Sequence, residues 1–369
     1  MLRIRRAERV TGLRRFEQIP GGGVPRGAAQ VESSNSQLQR PLRLPRRAVH
    51  GVLLLDKPLG WTSNDLLQKV KNLLRAEKAG HTGTLDPLAT GLLPLCFGAA
   101  TKFSQVSLEA DKTYRATLRL GQRTEGGDRE GEVIEERPVS CNRSQVESAC
   151  AAFTGAISQM PPMHSALKVR GKALYEYARA GQEVERQPRQ VVIHRIDILA
   201  WDPVRPEELT IDVCCSKGTY IRTLAEDIGA ALGCGAHLAA LQRSASGPLR
   251  LSDAIGLDAL MAMNDDERLA CVQPPDILLG DRPAVTLGAH DAARFLAGMR
   301  RRGNWPDQPA LRVYGPDGRS LLGSAHVQGG ELIADRLLSP AEIQALQGSF
   351  GRPPEEVVAD GTAAPLTLS

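Results

Sequence analysis

The stretch KTYRATLRLG at residues 112–121 alternates without a break. Tyr114, Ala116, Leu118 and Leu120 share one face, while Thr113, Arg115, Thr117 and Arg119 share the other. Period-two patterning of this kind predicts a half-buried strand, so the chain must build a sheet with one covered and one wet face. Tyr114 is directed inward at the start of that strand. Val52-Leu53-Leu54-Leu55 reads as a buried strand, and Val191–Leu199 and Leu209–Cys215 continue the sheet. Between them run helical periods. Thr62 and Asp65 read as a cap and first-turn acid before Leu66, Val70, Leu73 and Leu74. Ile221, Leu224, Ala225, Ile228 and Leu232 repeat the helical spacing later. The expected fold is α/β: a mixed, largely antiparallel sheet with flanking helices.

Length supports two domains, and 42% hydrophobic with 24% charged residues is ordinary for a chain with a sizeable core. No run of eighteen apolar residues occurs, which predicts no transmembrane helix. The seven cysteines form no CxxC pair and no metal-ligand spacing, so reduced thiols and a cytoplasmic setting are expected. The net charge of +4 hides an asymmetry. Eleven arginines and three glutamates lie in residues 1–50, leaving 35 basic against 39 acidic residues beyond. Binding to nucleic acid therefore needs local basic patches rather than bulk charge.

Composition also marks the boundaries. Residues 1–48, arginine-rich and without apolar periodicity, are expected to be a disordered basic extension. The arm looks like a transit peptide except that Glu8, Glu17 and Glu32 argue against one. Residues 49–280 carry the sheet. From 281 to 345 the character changes to short strands, Val285–Leu287, Leu311–Tyr314, Leu321–Val327 and Glu331–Leu337, separated by turns such as Pro316-Asp317-Gly318. A helix around Phe295, Leu296 and Met299 sits between the first two, and Ser339 with Glu342 forms a capping box. This is expected to be a small, separate β module. Residues 346–369 are expected to fray.

Chemistry concentrates in GHTGTLDPLATG at residues 80–91. Three glycines allow tight turns or close approach to a ligand. Pro87 excludes Asp86 from the α region, so the carboxylate can project. On the residues alone an ordinary alternative fits better: Asp86 as an N-cap and Pro87 at the first helical position.

The string GHTGTLDPLATG resembles the signature of the TruB family, the tRNA pseudouridine-55 synthases, and further motifs extend the likeness over about residues 50–280. The resemblance implies a pseudouridine synthase fold followed by a PUA-like RNA-binding domain at 281–345. It implies that Asp86 is the essential aspartate, as nucleophile or as base in a glycal route. Arg222, in KGTYIRT, matches the arginine that pairs with that aspartate; by itself it reads as a surface partner of Glu226. Tyr114 matches the tyrosine that stacks on the target uracil, though by pattern alone it reads as an ordinary core tyrosine on the inward face of a strand. Tyr220 and Leu241 match further pocket positions, and His81 matches the histidine against the flipped nucleotide. Lys57, Lys102 and Lys112 suit phosphates, or are solvated surface lysines.

Residues 159–180 interleave Lys168, Arg170, Lys172 and Arg179 with Tyr175 and Tyr177. That is a pattern for gripping phosphates while stacking on bases. It resembles the family's RNA-holding insertion, except that His164 stands where a larger aromatic is usual. The implied activity is isomerisation of the T-loop uridine of tRNA, by a monomer, with no metal or cofactor and no membrane partner. Two other readings stay open: a subunit of a guide-RNA-dependent synthase, and a non-catalytic tRNA-folding chaperone.

Overall fold

The structure is a computed structural model and describes residues 45–350. β1 (Gly51–Lys57) is buried almost throughout and leads into α1 (Ser63–Leu73). Thr62 caps α1, its hydroxyl oxygen accepting from the Asp65 amide at 3.1 Å, as its position in the sequence predicts. β2 (Ala79–His81) and β3 (Ala89–Phe97) bracket the glycine-rich signature. α2 (Ser104–Glu109) precedes β4 (Lys112–Leu120), and β5 (Gln122–Thr124) with β6 (Val133–Glu136) forms a small ribbon. α3 (Arg143–Ala152) and β7 (Gly155–Gln159) follow. Then come the hairpin of β8 (Lys168–Val169) with β9 (Lys172–Ala173), and α4 (Leu174–Arg179). β10 (Arg189–Asp202), β11 (Arg205–Cys215), α5 (Ile221–Ala231) and β12 (Ala236–Ser246) complete the central part. β13 (Leu249–Arg250), β14 (Ile255–Gly256), α6 (Leu257–Ala262) and α7 (Asp265–Ala270) close it.

One ten-stranded sheet runs β14-β1-β3-β12-β4-β11-β10-β7, with β13 on β12 and β2 on β3. Only β1/β14 and β3/β12 pair in parallel, so the sheet is mixed and largely antiparallel. β4 keeps its alternation: Ala116, Leu118 and Leu120 pack with Leu224 and Ile228 of α5 and Val146 of α3. β1 and β3 are buried on both faces. Leu53, Leu55, Leu93 and Leu95 pack on Leu66 and Val70 of α1, while Val52, Leu54, Leu92 and Cys96 face an opposite cluster. Each fully buried leucine contributes about 1.5–3 kcal/mol, which fixes the middle of the sheet firmly.

The C-terminal elements are β15 (Ala284–Thr286), α8 (Ala289–Leu296), β16 (Arg301–Arg302), β17 (Gln308–Tyr314), β18 (Leu321–Gln328), β19 (Glu331–Leu337) and α9 (Pro340–Phe350). Their sheet, β15-β17-β18-β19-β16, curls around Phe295, Leu311, Val313 and Leu332. The capping box is present: Ser339 N donates to Glu342 Oε2 at 2.7 Å, and Glu342 N to Ser339 Oγ at 3.3 Å.

Four expectations change. No helix follows Asp86; residues 86–89 form a turn, the Ala89 amide donating to the Asp86 carbonyl at 3.0 Å, and β3 begins at once. Arg46 and Arg47 are part of the fold rather than the end of an arm. Arg47 Nε donates to Leu74 O at 2.9 Å and Arg46 Nη1 to Ala76 O at 2.9 Å. The arm proper, to residue 44, lies outside the described residues. The C-terminal module is not separate: its Tyr314, Leu321, Leu338 and Leu346 share one cluster with Val52, Leu54 and Leu92. Residues 346–350, expected to fray, belong to α9, and 351–369 lie outside the described residues.

Candidate active site

The signature forms an arch between β2 and β3, clamped from three sides. The hydroxyl of Ser63, the first residue of α1, accepts from Leu85 N at 2.9 Å and donates to Leu85 O at 3.1 Å. Ser107 Oγ donates to Thr82 Oγ1 at 2.9 Å. Lys57 Nζ donates to the carbonyls of Ala89 at 2.6 Å, Pro58 at 3.2 Å and Pro87 at 3.4 Å. The arch thus presents Asp86, whose side chain keeps 43% exposure, on a braced backbone.

Arg222 lies 3.0 Å from it, Nη2 to Asp86 Oδ2, with only 8% of its side chain exposed. Nη1 reaches Asp128 Oδ2 at 3.3 Å and donates to Gly126 O at 3.4 Å, and Nη2 donates to the His164 carbonyl. Arg222 therefore pairs with two aspartates rather than with Glu226 at the surface. It sits in the first turn of α5, whose start is held by Gln159. That side chain accepts from Tyr220 N at 3.0 Å and donates to Tyr220 O at 3.3 Å. A buried guanidinium between two carboxylates satisfies its donors and holds the exposed carboxylate in one orientation.

Tyr114 stands on β4 in register with Val213 of β11 and Arg243 of β12. Burial pushes its phenol above the ordinary range, against the opposing charge of Arg243. Leu241 of β12 is in register with Ala89, three residues after Asp86, and with Ala116 of β4. His81 ends β2, and its buried Nδ1 has no partner among the described residues. Burial, then the charge of Arg243, lowers its pKa, so the ring is largely neutral at pH 7.

The lysines divide. Lys57 is fully buried, not on the surface as expected, and burial pushes its pKa down to about 8. Lys112 is likewise buried and down to about 8, its ammonium donating to Ser107 O at 3.0 Å and Leu108 O at 2.7 Å, and to Ala110 O. Lys102 is engaged with the C-terminal module, reaching Glu342 at 2.6 Å and Leu337 O at 3.0 Å. These three brace the fold. Lys168 and Lys172 lie in the β8–β9 hairpin, where Lys172 Nζ stands 4.6 Å from the Tyr177 ring and Arg179 lies 5.3 Å from that of Tyr175. Reading the sequence missed the contribution of Asp128, Gln159 and Arg243. The loop that carries Asp128 shows only glycines and polar residues in the sequence, and a buried arginine in a strand leaves no pattern.

With this geometry in place, comparison with known proteins is direct. Residues 71–221 match the TruB family pseudouridylate synthase (N terminal domain). Residues 222–279 match the tRNA pseudouridylate synthase B C-terminal domain. The chain belongs to the TruB family of pseudouridylate synthases. The tRNA pseudouridine synthase B of Ralstonia nicotianae is 59% identical over 309 residues, covering 81% of this chain and 98% of that protein. The protein of the same name from Cupriavidus pinatubonensis is 58% identical, covering 83% and 99%. Among solved structures, a Cbf5-Nop10-Gar1 complex matches with a TM-score of 0.59 and 25% identity over 79% of this chain and 85% of that one. An H/ACA RNP bound to a substrate RNA containing 2′-deoxyuridine has the same TM-score at 23% identity, covering 80% and 86%, a likeness of fold.

Proposed function

We propose that this protein converts the T-loop uridine of tRNA, U55, to pseudouridine, with Asp86 as the reacting carboxylate. The observation that carries this reading is the Asp86–Arg222 pair at 3.0 Å, an exposed carboxylate aimed by a buried guanidinium. The reaction is redox-neutral. The C1′–N1 bond breaks, the detached uracil turns, C1′ bonds to C5, and the proton leaving C5 is balanced by one gained at N1. A carboxylate near C1′ serves either as nucleophile or as base. A stacked uridine must first leave the loop, and His81, Tyr114, Tyr220 and Leu241 are the groups we assign to receive it. Lys168 and Lys172 serve the phosphates of the T arm.

The relatives named for tRNA are more than twice as similar to this chain as the H/ACA subunits, so the stand-alone enzyme is the reading adopted. It acts as a monomer in the cytoplasm. The test is to map pseudouridine in an unmodified tRNA transcript incubated with the purified protein alone. Conversion confined to U55 supports the reading. A requirement for a guide RNA, or folding help without conversion, rejects it.

A further inference from the structure

Among the described residues Arg243 is the largest side chain that is fully buried. Burying a guanidinium is costly unless it is paired, yet no carboxylate among the described residues compensates it. The charged neighbours that feel it are cationic, Lys57 and Lys112, together with the ring of His81. Its bonds are to neutral groups. Nε donates to Leu92 O at 2.7 Å and Nη2 donates to Gly83 O at 3.3 Å, and Arg243 is the cross-strand partner of Tyr114, with its charge acting on the phenol. A leucine would fill this space more cheaply, but it could not tie the carbonyls of Gly83 and Leu92 together.

Two glycines of the signature are shaped by the same residue. Gly91, at φ +96°, lies so close to β12 that a Cβ would stand 2.4 Å from the Arg243 carbonyl oxygen. Gly83, at φ +102°, would place a Cβ 3.2 Å from Arg243 Nη1. One side chain and its backbone therefore touch both ends of the arch that carries Asp86, and the residue's partner on the neighbouring strand is Tyr114. Resting on the function proposed above, we propose that Arg243 is a positioning residue: its guanidinium holds the Asp86 arch to β12 beside its cross-strand partner Tyr114, so that the separation of carboxylate and phenol is set before a nucleotide enters.

The test uses Arg243→Lys and Arg243→Gln in the full chain, each alone and combined with Tyr114→Phe. Single-turnover rate, tRNA Kd and thermal melting are measured. Each Arg243 variant should melt cooperatively and keep its Kd within about threefold, while its single-turnover rate falls by about tenfold or more. Groups that act as a unit are non-additive, so in the Tyr114→Phe background the same changes should cost less than about threefold further. Additive losses, an unchanged rate, or failure of both variants to melt cooperatively would overturn the proposal. Should the wild-type chain form no pseudouridine, the function fails but the frame can still be read. With 3-fluorotyrosine incorporated, the 19F resonance missing in Tyr114→Phe must move in Arg243→Lys; an unmoved resonance overturns the frame as well.

Discussion

Asp86 owes its orientation to a side chain 136 positions away. Arg222 is committed on one side to the nearly buried Asp128 and on the other to Asp86, whose remaining surface faces out. Asn is close to isosteric with Asp, so Asp86→Asn should keep the turn and remove the reacting oxygen. Pseudouridine formation should fall below detection. The Kd for tRNA should change by less than tenfold, about 1.4 kcal/mol, because phosphate and stacking contacts dominate binding. The N-cap alternative would have allowed normal turnover, since Asn caps as well as Asp. The absence of a helix after Asp86 removes its footing, and near-normal turnover in this variant would remove the catalytic assignment too.

At the scale of elements, β1 ends in a lysine that ties the arch to the sheet. The Lys57 ammonium loses its proton near pH 8 in the folded protein but near 10.5 when unfolded. Between these values the unfolded chain binds the extra proton, so this group makes stability rise with pH. Below pH 8 the full penalty of burying its charge is present. Urea unfolding at pH 7, 8, 9 and 10 should show wild type gaining stability relative to Lys57→Met as the pH rises. A constant difference would mean that Lys57 does not titrate in this window.

The β8–β9 hairpin makes a different prediction. Lys168→Ala and Lys172→Ala should weaken tRNA binding and each lower the slope of log Kd against log salt by about one, leaving the saturated rate near wild type. A fall in saturated rate with unchanged affinity would place these lysines elsewhere in the mechanism.

The same elements show what was legible in the sequence. β4, exposed on one face, wrote its burial as alternation, and α1 and α5 wrote theirs as helical periods. β3 and β12 left no such trace although they hold the site together. β3 is buried on both faces and contains Gly91 and Pro94, which look like breakers; β12 contains Gln242, Arg243 and Ser244, which look like surface. Asp86 and Arg222 were found through motif resemblance, not pattern. Lys57 and Lys112 were misplaced because nothing local distinguishes a buried lysine that binds carbonyls from one that meets water.

At the scale of the whole molecule, Arg46 and Arg47 already belong to the described fold. Removing residues 1–44 deletes nine arginines and three glutamates and should lower non-specific RNA affinity while leaving conversion of U55 intact. Extending the deletion through residue 48 also removes the Arg46 and Arg47 contacts to the α1 end, and should lower the melting temperature. Loss of catalysis on removing 1–44 at low salt and saturating enzyme would make the arm essential rather than accessory.

The cluster joining the two sheets has a consequence in time. Val52 and Leu54 are among the first buried residues to leave the ribosome, yet their partners include Leu338 and Leu346, made almost three hundred residues later. A Cβ on Gly51 would stand 3.2 Å from the ring of Phe350. The first strand thus stays partly uncovered for most of synthesis. At about 5–20 residues per second, that interval lasts tens of seconds. During it, the apolar edge of a nascent chain depends on whatever else in the cell is willing to cover it.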